Sequence, residues 1–353
     1  MAVGAPRESV GSQAESPAAR EPLVAVVILN WREPDATIAC VQALRGLDYA
    51  NIRIVVVDNG SDPEVVETLT RLDGIVLVRN ATNLGFTGGV NVGLRQAMEL
   101  GAEYVWLLNN DAVTAPDTLR KLVAMAEADP RIGLVSPVIH DPNQPEKPLF
   151  CLGLFDSRAL GIAQTDNPAE AQRWLAEQPD KVVVLGTALL VKRELFGAIG
   201  GLDENFFAYV EDVDYNLRCH AAGFRVAVCF DAVVYHKFRE PMRNPDNCPP
   251  YLHYYTSRNY PLLWRKLPGS LLLFSKAALW FLRGRLRQAE LLPGNQAAIE
   301  ALLAGLWDGA LGRTGAYDPQ RRPPWLLRCS LGRYPSAFIR MIDGKLPISR
   351  RKV

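Results

Sequence analysis

Three carboxylates fall within four positions, Glu211-Asp212-Val213-Asp214, and a histidine, His236, follows the next apolar run. A second acidic site, Asn109-Asn110-Asp111, lies far upstream and closes the apolar run 104–108. Two separated carboxylate sites divide into two jobs, one holding a cation and the other taking a proton. Asp111 offers a hard oxygen suited to Mg²⁺ or Mn²⁺, ions that usually bridge to substrate phosphates. The side-chain amide oxygen of Asn109 adds a weaker, neutral ligand. His236 joins them only if it faces the same cleft, and imidazole suits Mn²⁺ better than Mg²⁺. Acidic residues in a first helical turn also complement the helix dipole, but three of them exceed that need. Residues 212 and 214 stand about 200° apart around a helix, so only one can face a given cleft.

Two further motifs carry chemistry more weakly. Asp58-Asn59-Gly60-Ser61 closes a strand-like run. Its carboxylate can accept the N3–H of uracil or thymine, or it can simply form a turn and cap the helix that follows. In Asn83-Leu84-Gly85-Phe86-Thr87-Gly88-Gly89-Val90-Asn91, backbone N–H groups of a glycine-rich turn at a helix start can face a phosphate. The spacing matches neither a dinucleotide fingerprint nor a P-loop. A tight turn needing positive φ explains the glycines equally well.

These residues need elements to position them, and the pattern supplies them. The β-branched run 24–29 reads as a strand buried on both faces. A helix over 34–44 follows, with Pro34 in its first turn. Then come a strand at 52–57, a helix at 62–72, a strand at 75–79, a loop at 83–89, a helix at 89–100 and a strand at 103–109. This alternation predicts an α/β fold with a mostly parallel, doubly wound sheet and helices on both faces. Ligands of such sheets sit beyond the carboxyl ends of the strands, where Asn30-Trp31, Asp58–Ser61 and Asn109–Asp111 all fall. Regularity fades between about 140 and 180 and returns with 182–187 and a helix at 192–199.

The chain has 353 residues, enough for one large domain or two, with 39 Lys+Arg against 38 Asp+Glu. That balance argues against nucleic acid as a partner. The six cysteines show no C-x-x-C spacing, which fits thiols packed as small hydrophobes in a reducing compartment. The first 20 residues lack an apolar signal region, and no 18-residue run is free of charge. We expect a disordered tail at 1–21, a catalytic domain at 22–255 and a mainly helical region at 256–353. The Leu/Trp/Arg-rich stretch 262–287 is expected to lie on a membrane surface, pack on the catalytic domain or join two copies in a homo-oligomer.

In this order the motifs resemble the family 2 glycosyltransferases over roughly 22–260, especially rhamnosyl- and galactofuranosyltransferase-like members. Val27–Trp31, Val57–Ser61, Asn83–Phe86, Gly88-Gly89, Asn91, Leu108–Asp111, Gly186-Thr187, Gly201–Phe207 and Glu211–Asp214 carry the likeness. The resemblance implies a GT-A fold, a nucleoside-diphosphate sugar donor and inversion at the anomeric carbon. It places Asp58 on the pyrimidine, with Asn30, Asn83, Gly85, Phe86, Gly89, Asn91 and Asn110 on the nucleotide sugar. It makes Asp111 the last ligand of the metal motif, with Asn109 and His236 beside it, and Mg²⁺ or Mn²⁺ the cofactor. Asp212 becomes the general base with Glu211 its neighbour, and Gly186 and Thr187 face the acceptor. Asn109 departs from the family, where many members have Asp.

The implied reaction moves a sugar, first of all rhamnose from dTDP-rhamnose, to a glycan or lipid-linked acceptor in cell-envelope polysaccharide synthesis. The expected location is cytoplasmic, either free or peripheral on the cytoplasmic face of the plasma membrane. Two other readings share many of these residues: a sugar nucleotidyltransferase, and a non-catalytic nucleotide-sugar-binding protein. The first would want a basic residue near the glycine loop, whereas Arg95 lies well into the helix. The second is at odds with an intact Glu211-Asp212 pair.

Overall fold

Every second residue of the first strand goes to a different core. Strand β1 (Val24–Asn30) sends Val24, Val26 and Ile28 to one face of the sheet and Ala25 and Val27 to the other. A strand buried on both faces needs an apolar run rather than alternation, which is what β1, β2 (Ile52–Asn59) and β4 (Tyr104–Asn109) have. The computed structural model describes residues 20–157, 161–237, 248–268, 276–290, 296–330 and 339–342. The tail expected at 1–21 lies outside the described residues as far as residue 19, and so do residues 269–275 of the basic apolar stretch.

The helices of the first half are α1 (Pro34–Leu44), α2 (Pro63–Thr70), α3 (Gly85–Glu99) and α4 (Thr118–Ala128). With β3 (Ile75–Asn80) they complete a parallel set in the order β3-β2-β1-β4. Beyond β4 the sheet becomes mixed. Strand β11 (Ala188–Lys192) runs antiparallel between β4 and β6 (Ile132–Asp141). Strand β12 (Arg225–Tyr235) runs parallel to β6 and carries the short β5 (Val113–Thr114) at the edge. The parallel arrangement read from strand-helix alternation therefore holds where the alternation is regular.

The stretch 140–180 is more ordered than its composition indicates. It forms β7 (Gln144–Phe150) beside β6, then β8 (Leu152–Asp156), β9 (Gly161–Thr165) and α5 (Pro168–Glu177). Strands β8 and β9 make a separate three-stranded sheet with β10 (Val182–Val183). Helices α6 (Arg193–Ile199) and α7 (Glu211–Ala221) flank the 203–210 segment.

The glycine motif is not a loop ahead of its helix. Gly85–Gly89 form the first turns of α3, because bare glycine lets this helix lie close on the sheet. A Cβ on Gly93 would stand 2.3 Å from Val27 Cγ1.

Helix α8 (Pro250–Lys266) is followed by α9 (Lys276–Glu290), α10 (Gln296–Leu311) and α11 (Trp325–Ser330). The change of character expected at 255 falls inside α8. One face of this helix packs Leu262 and Leu263 against Phe206, Val210 and Val213. Another meets α10, where a Cβ on Gly305 would come within 2.3 Å of the Tyr254 carbonyl. Chain composition shifts at 255, but packing makes α8 common to both parts. Among the described residues no helix is long and apolar enough to cross a membrane.

Candidate active site

Strand register brings the polar clusters to one level. Asn30 stands opposite Asp58, and Leu29 stands opposite Asn109. A buried chain of hydrogen bonds crosses these strand ends. Asn110 Nδ2 donates to Thr37 Oγ1 (3.2 Å), Thr37 Oγ1 to Asn30 Oδ1 (2.8 Å), and Asn30 Nδ2 to Asp58 Oδ1 (2.9 Å). The Ser61 backbone N–H donates to Asp58 Oδ2 at 3.1 Å. Asp58 is only 1% exposed and Asn30 is fully buried. Both stand behind the cleft wall, while Asn110 lines it.

Asn59, absent from the expected site residues, organises the glycine motif. Its Nδ2 donates to Asn83 Oδ1 (3.0 Å) and to the Gly85 carbonyl (2.9 Å). Its Oδ1 accepts from Asn80 Nδ2 (3.0 Å) and the Leu84 N–H (3.1 Å). Gly85 takes φ +77°, and a Cβ there would meet the Phe207 carbonyl oxygen at 2.5 Å. The positive-φ reading of this glycine therefore holds. Asn83, Gly85 and Phe86 line the cleft. Gly89 and Asn91 do not. Gly89 lies against Leu29 and Asn59, and Asn91 ties α3 to Leu202 and Glu204.

The three residues assigned to a metal converge, although His236 is 127 positions from Asn109. His236 Nε2 lies 3.1 Å from Asp111 Oδ1 and 3.3 Å from Asn109 Nδ2. Strand β12 delivers the histidine by running beside β6, and the His236 N–H donates to the His140 carbonyl at 3.0 Å. Among the described residues no point gathers three His, Cys, Asp or Glu side chains. One carboxylate, one imidazole and an amide whose oxygen and nitrogen exchange by a half-turn make a donor set that fits Mn²⁺ or Mg²⁺. The remaining ligands would come from a diphosphate.

The acidic turn of α7 lines the same cleft. Asp212 Oδ1 accepts from the Val213 N–H (2.8 Å) and Oδ2 from the Gly186 N–H (3.3 Å). Burial raises the Asp212 pKa above the usual aspartate value, and those two N–H groups oppose the rise. Burial, reinforced by the Asp212 charge, holds Glu211 well above the ordinary carboxyl range. Glu211 Oε2 is buried and makes no hydrogen bond among the described residues. Asp214 turns away, as two steps around a helix require. It is 2% exposed and pairs with Arg218 Nε at 2.7 Å and with Lys266. Thr187 links the two halves, since its carbonyl accepts the Asn109 N–H at 2.9 Å.

The cleft between them has a volume of about 530 Å³, within the range of small-molecule sites. Trp31 and Phe207, both within motifs that carry the family likeness, add aromatic walls together with Tyr251 and Tyr255. Trp31 is 49% exposed, so an aromatic beside a strand end was the available signal. No Lys or Arg lines the cleft among the described residues, while Glu33, Asp111, Glu211 and Asp212 do.

The family model described as glycosyltransferase-like family 2 matches residues 21–245. The chain belongs to that family. The glycosyltransferase is 30% identical over 214 residues to the N-acetylglucosaminyl-diphospho-decaprenol L-rhamnosyltransferase of Mycobacterium tuberculosis, covering 55% of this chain and 69% of the relative. It is 25% identical over 232 residues to the dTDP-rhamnosyl transferase RfbF of Shigella flexneri, covering 64% of this chain and 75% of that one. Among solved structures it resembles the mannosyltransferase PcManGT of Pyrobaculum calidifontis, in complex with GDP-Man and Mn²⁺. There the TM-score is 0.51 at 19% identity, over 92% of this chain and 85% of the other. That likeness is one of fold, and the glycosyltransferase has the GT-A architecture.

Proposed function

We propose that the chain transfers L-rhamnose from dTDP-rhamnose, with inversion, to a hydroxyl of a glycan or lipid-linked acceptor in cell-envelope polysaccharide synthesis. The observation that supports this reading is that Asp212 lines the same cleft as Asp111, Asn109 and His236. A base in the same cleft as a diphosphate site would serve attack on the sugar from the face away from the leaving group. The relatives named for rhamnosyl transfer supply the sugar.

Asp212 would accept the proton of the acceptor hydroxyl, a role worth on the order of 10²–10⁴-fold in rate. Backbone N–H groups on both its oxygens fix its orientation. Glu211, whose carboxyl burial and the Asp212 charge push well above the ordinary range, stands beside it at the cleft. Asn59 and Asn83 hold the glycine turn that would receive the donor, and Asp58, buried behind it, holds Asn30 and the Ser61 N–H in place.

Asp111, His236 and Asn109 would hold Mg²⁺ or Mn²⁺. When bound, the ion offsets charge developing on the diphosphate. A cleft lined by carboxylates and by no Lys or Arg among the described residues repels a bare diphosphate, which supports a cation requirement.

We also propose peripheral contact with anionic membrane through the C-terminal helices. Trp280, Trp307, Trp325 and Leu326 are exposed there, and Arg283 lies over the Trp280 ring at 5.1 Å. Aromatic and basic side chains together suit a headgroup layer.

Incubation with dTDP-rhamnose, Mn²⁺ and a set of glycan and polyprenyl-diphosphate-linked acceptors tests the reaction. The expected products are dTDP and an inverted rhamnoside, read by mass spectrometry and proton NMR. Release of pyrophosphate, or donor binding with no turnover on any acceptor, would sink the assignment.

A further inference from the structure

The segment 203–210 joins the two halves of the cleft, and two buried side chains of α8 hold it from behind. Phe207, Tyr209 and Val210 have φ of 63°, 68° and 72°. Left-handed backbone is sterically costly for bulky and β-branched residues and persists only where surroundings over-determine it. The turn ends at Val210, which caps α7 directly before Glu211 and Asp212. In front, the Phe207 carbonyl accepts the Thr87 N–H of the glycine motif at 3.1 Å.

What over-determines the turn is the pair Arg258-Asn259. Asn259 Nδ2 faces the carbonyls of Phe206, Ala208 and Tyr209 at 3.0, 2.7 and 2.7 Å. Arg258 Nη2 donates to the carbonyls of Phe206 (2.5 Å) and Asn205 (3.3 Å), and its Nε donates to Asn259 Oδ1 at 2.8 Å. Both residues are fully buried. The guanidinium lies 5.3 and 4.9 Å from the Tyr254 and Tyr255 ring centroids, and the Tyr255 ring stacks on Phe207 at 5.4 Å. A buried guanidinium is expensive unless its N–H groups are used. Here Nη2 is aimed at two main-chain carbonyls of that segment, Nη1 donates to the Gly315 carbonyl, and Nε donates to Asn259.

We propose that Arg258 and Asn259 are positioning residues for sugar transfer: by gripping the 205–209 carbonyls they hold the left-handed entry to α7 and thereby set Asp212 at the cleft. This rests on Asp212 being the base, as argued above. The pair does not touch the donor half, where Asn59 and Asn83 anchor the glycine motif. Binding of nucleotide and speed of transfer should therefore separate.

The test uses the full chain with Asn259→Ala, Asn259→Asp, Arg258→Ala and Arg258→Lys. In the folded variants kcat should fall about 10²-fold, the cost of a small misplacement of a reacting group. The Kd for dTDP with Mn²⁺ should stay unchanged. Amide hydrogen exchange should quicken over 205–212 and not in β1, β2 and β4. Methylguanidinium should restore much of the rate of Arg258→Ala. Arg258→Lys should stay slow, since one ammonium cannot fork to several carbonyls.

Wild-type kcat in folded Asn259→Ala overturns the proposal. So does a loss shared by dTDP affinity and sheet exchange, which would mark general damage to the fold. Should the alanine variants aggregate, Asn259→Asp keeps the side-chain volume without the N–H donors and decides alone. Absence of transfer by the wild-type chain would defeat the rhamnosyl reading instead, leaving the exchange measurement to judge the grip on the segment.

Discussion

Asp212 and Glu211 are neighbours in sequence, and burial raises the pKa of both. Asp212 receives two backbone N–H groups that favour its charged form, whereas Glu211 Oε2 receives none among the described residues. Asp212→Asn keeps the shape and removes the basic oxygen. It should lower transfer by at least about 10²-fold while leaving dTDP binding intact by calorimetry; a near-normal rate would remove Asp212 as the base. Glu211 predicts a stability effect of definite sign. Its folded pKa lies well above the usual carboxyl value, so the folded state binds more protons than the unfolded one once pH exceeds about 4. Stability then falls as pH rises from there to the raised pKa, and the full penalty is present above it. Glu211→Gln should raise Tm at pH 7.5 and leave it nearly unchanged near pH 4. Thermal melts at the two pH values check this, and a lower Tm at pH 7.5 would refute it. Chelation probes the other half: EDTA should abolish transfer and Mn²⁺ or Mg²⁺ should restore it.

At the scale of elements, legibility followed the range of the forces involved. Helix α1 was placed at 34–44, its observed bounds, because Pro34 and the apolar spacing act within the helix itself. The strand ends were legible for the same reason, and register then put Asn30, Asp58 and Asn109 side by side. The glycine motif was read as a loop because glycine is a poor helix former in isolation, yet close packing on Val27 and Leu29 reverses that preference. Asn91 looked like part of a donor loop and instead ties α3 to Leu202, 111 residues away. Arg258 and Asn259 gave no signal of their role, since their partners lie some fifty positions earlier in the chain. Gly85 allows the steric part to be measured. Gly85→Ala meets both a left-handed φ and the Phe207 carbonyl at 2.5 Å, whereas Gly74→Ala meets φ +74° in open space. Denaturant melts should show a loss of about 1 kcal/mol at Gly74 and clearly more at Gly85. Only the Gly85 variant should weaken dTDP binding, and equal losses would mean that the contact with the 203–210 segment relaxes freely.

For the molecule as a whole, α8 decides whether the C-terminal region is an accessory or a working part. Its Leu262 and Leu263 close the apolar cluster of Phe206, Val210 and Val213, each buried leucine contributing about 1.5–3 kcal/mol. Its Lys266 reaches Asp203 at 2.8 Å and also pairs with buried Asp214. Helix α10 in turn seats α8, with Asp308 accepting from Tyr254 Oη at 2.9 Å and from Arg313 and Arg321 at 3.0 Å. None of these contacts reaches the strand ends or Asn59. A chain ending at residue 249 should therefore keep Mn²⁺-dependent dTDP binding and lose transfer, because the turn before Glu211 loses its clamp. A chain ending at 268 retains α8 without its support from α10 and should transfer slowly, with a lowered Tm. Calorimetry and rate measurements on the two truncations test this order. Loss of dTDP binding in the chain ending at 249, despite folded β1–β4 by hydrogen exchange, would show that the donor half also depends on the C-terminal helices.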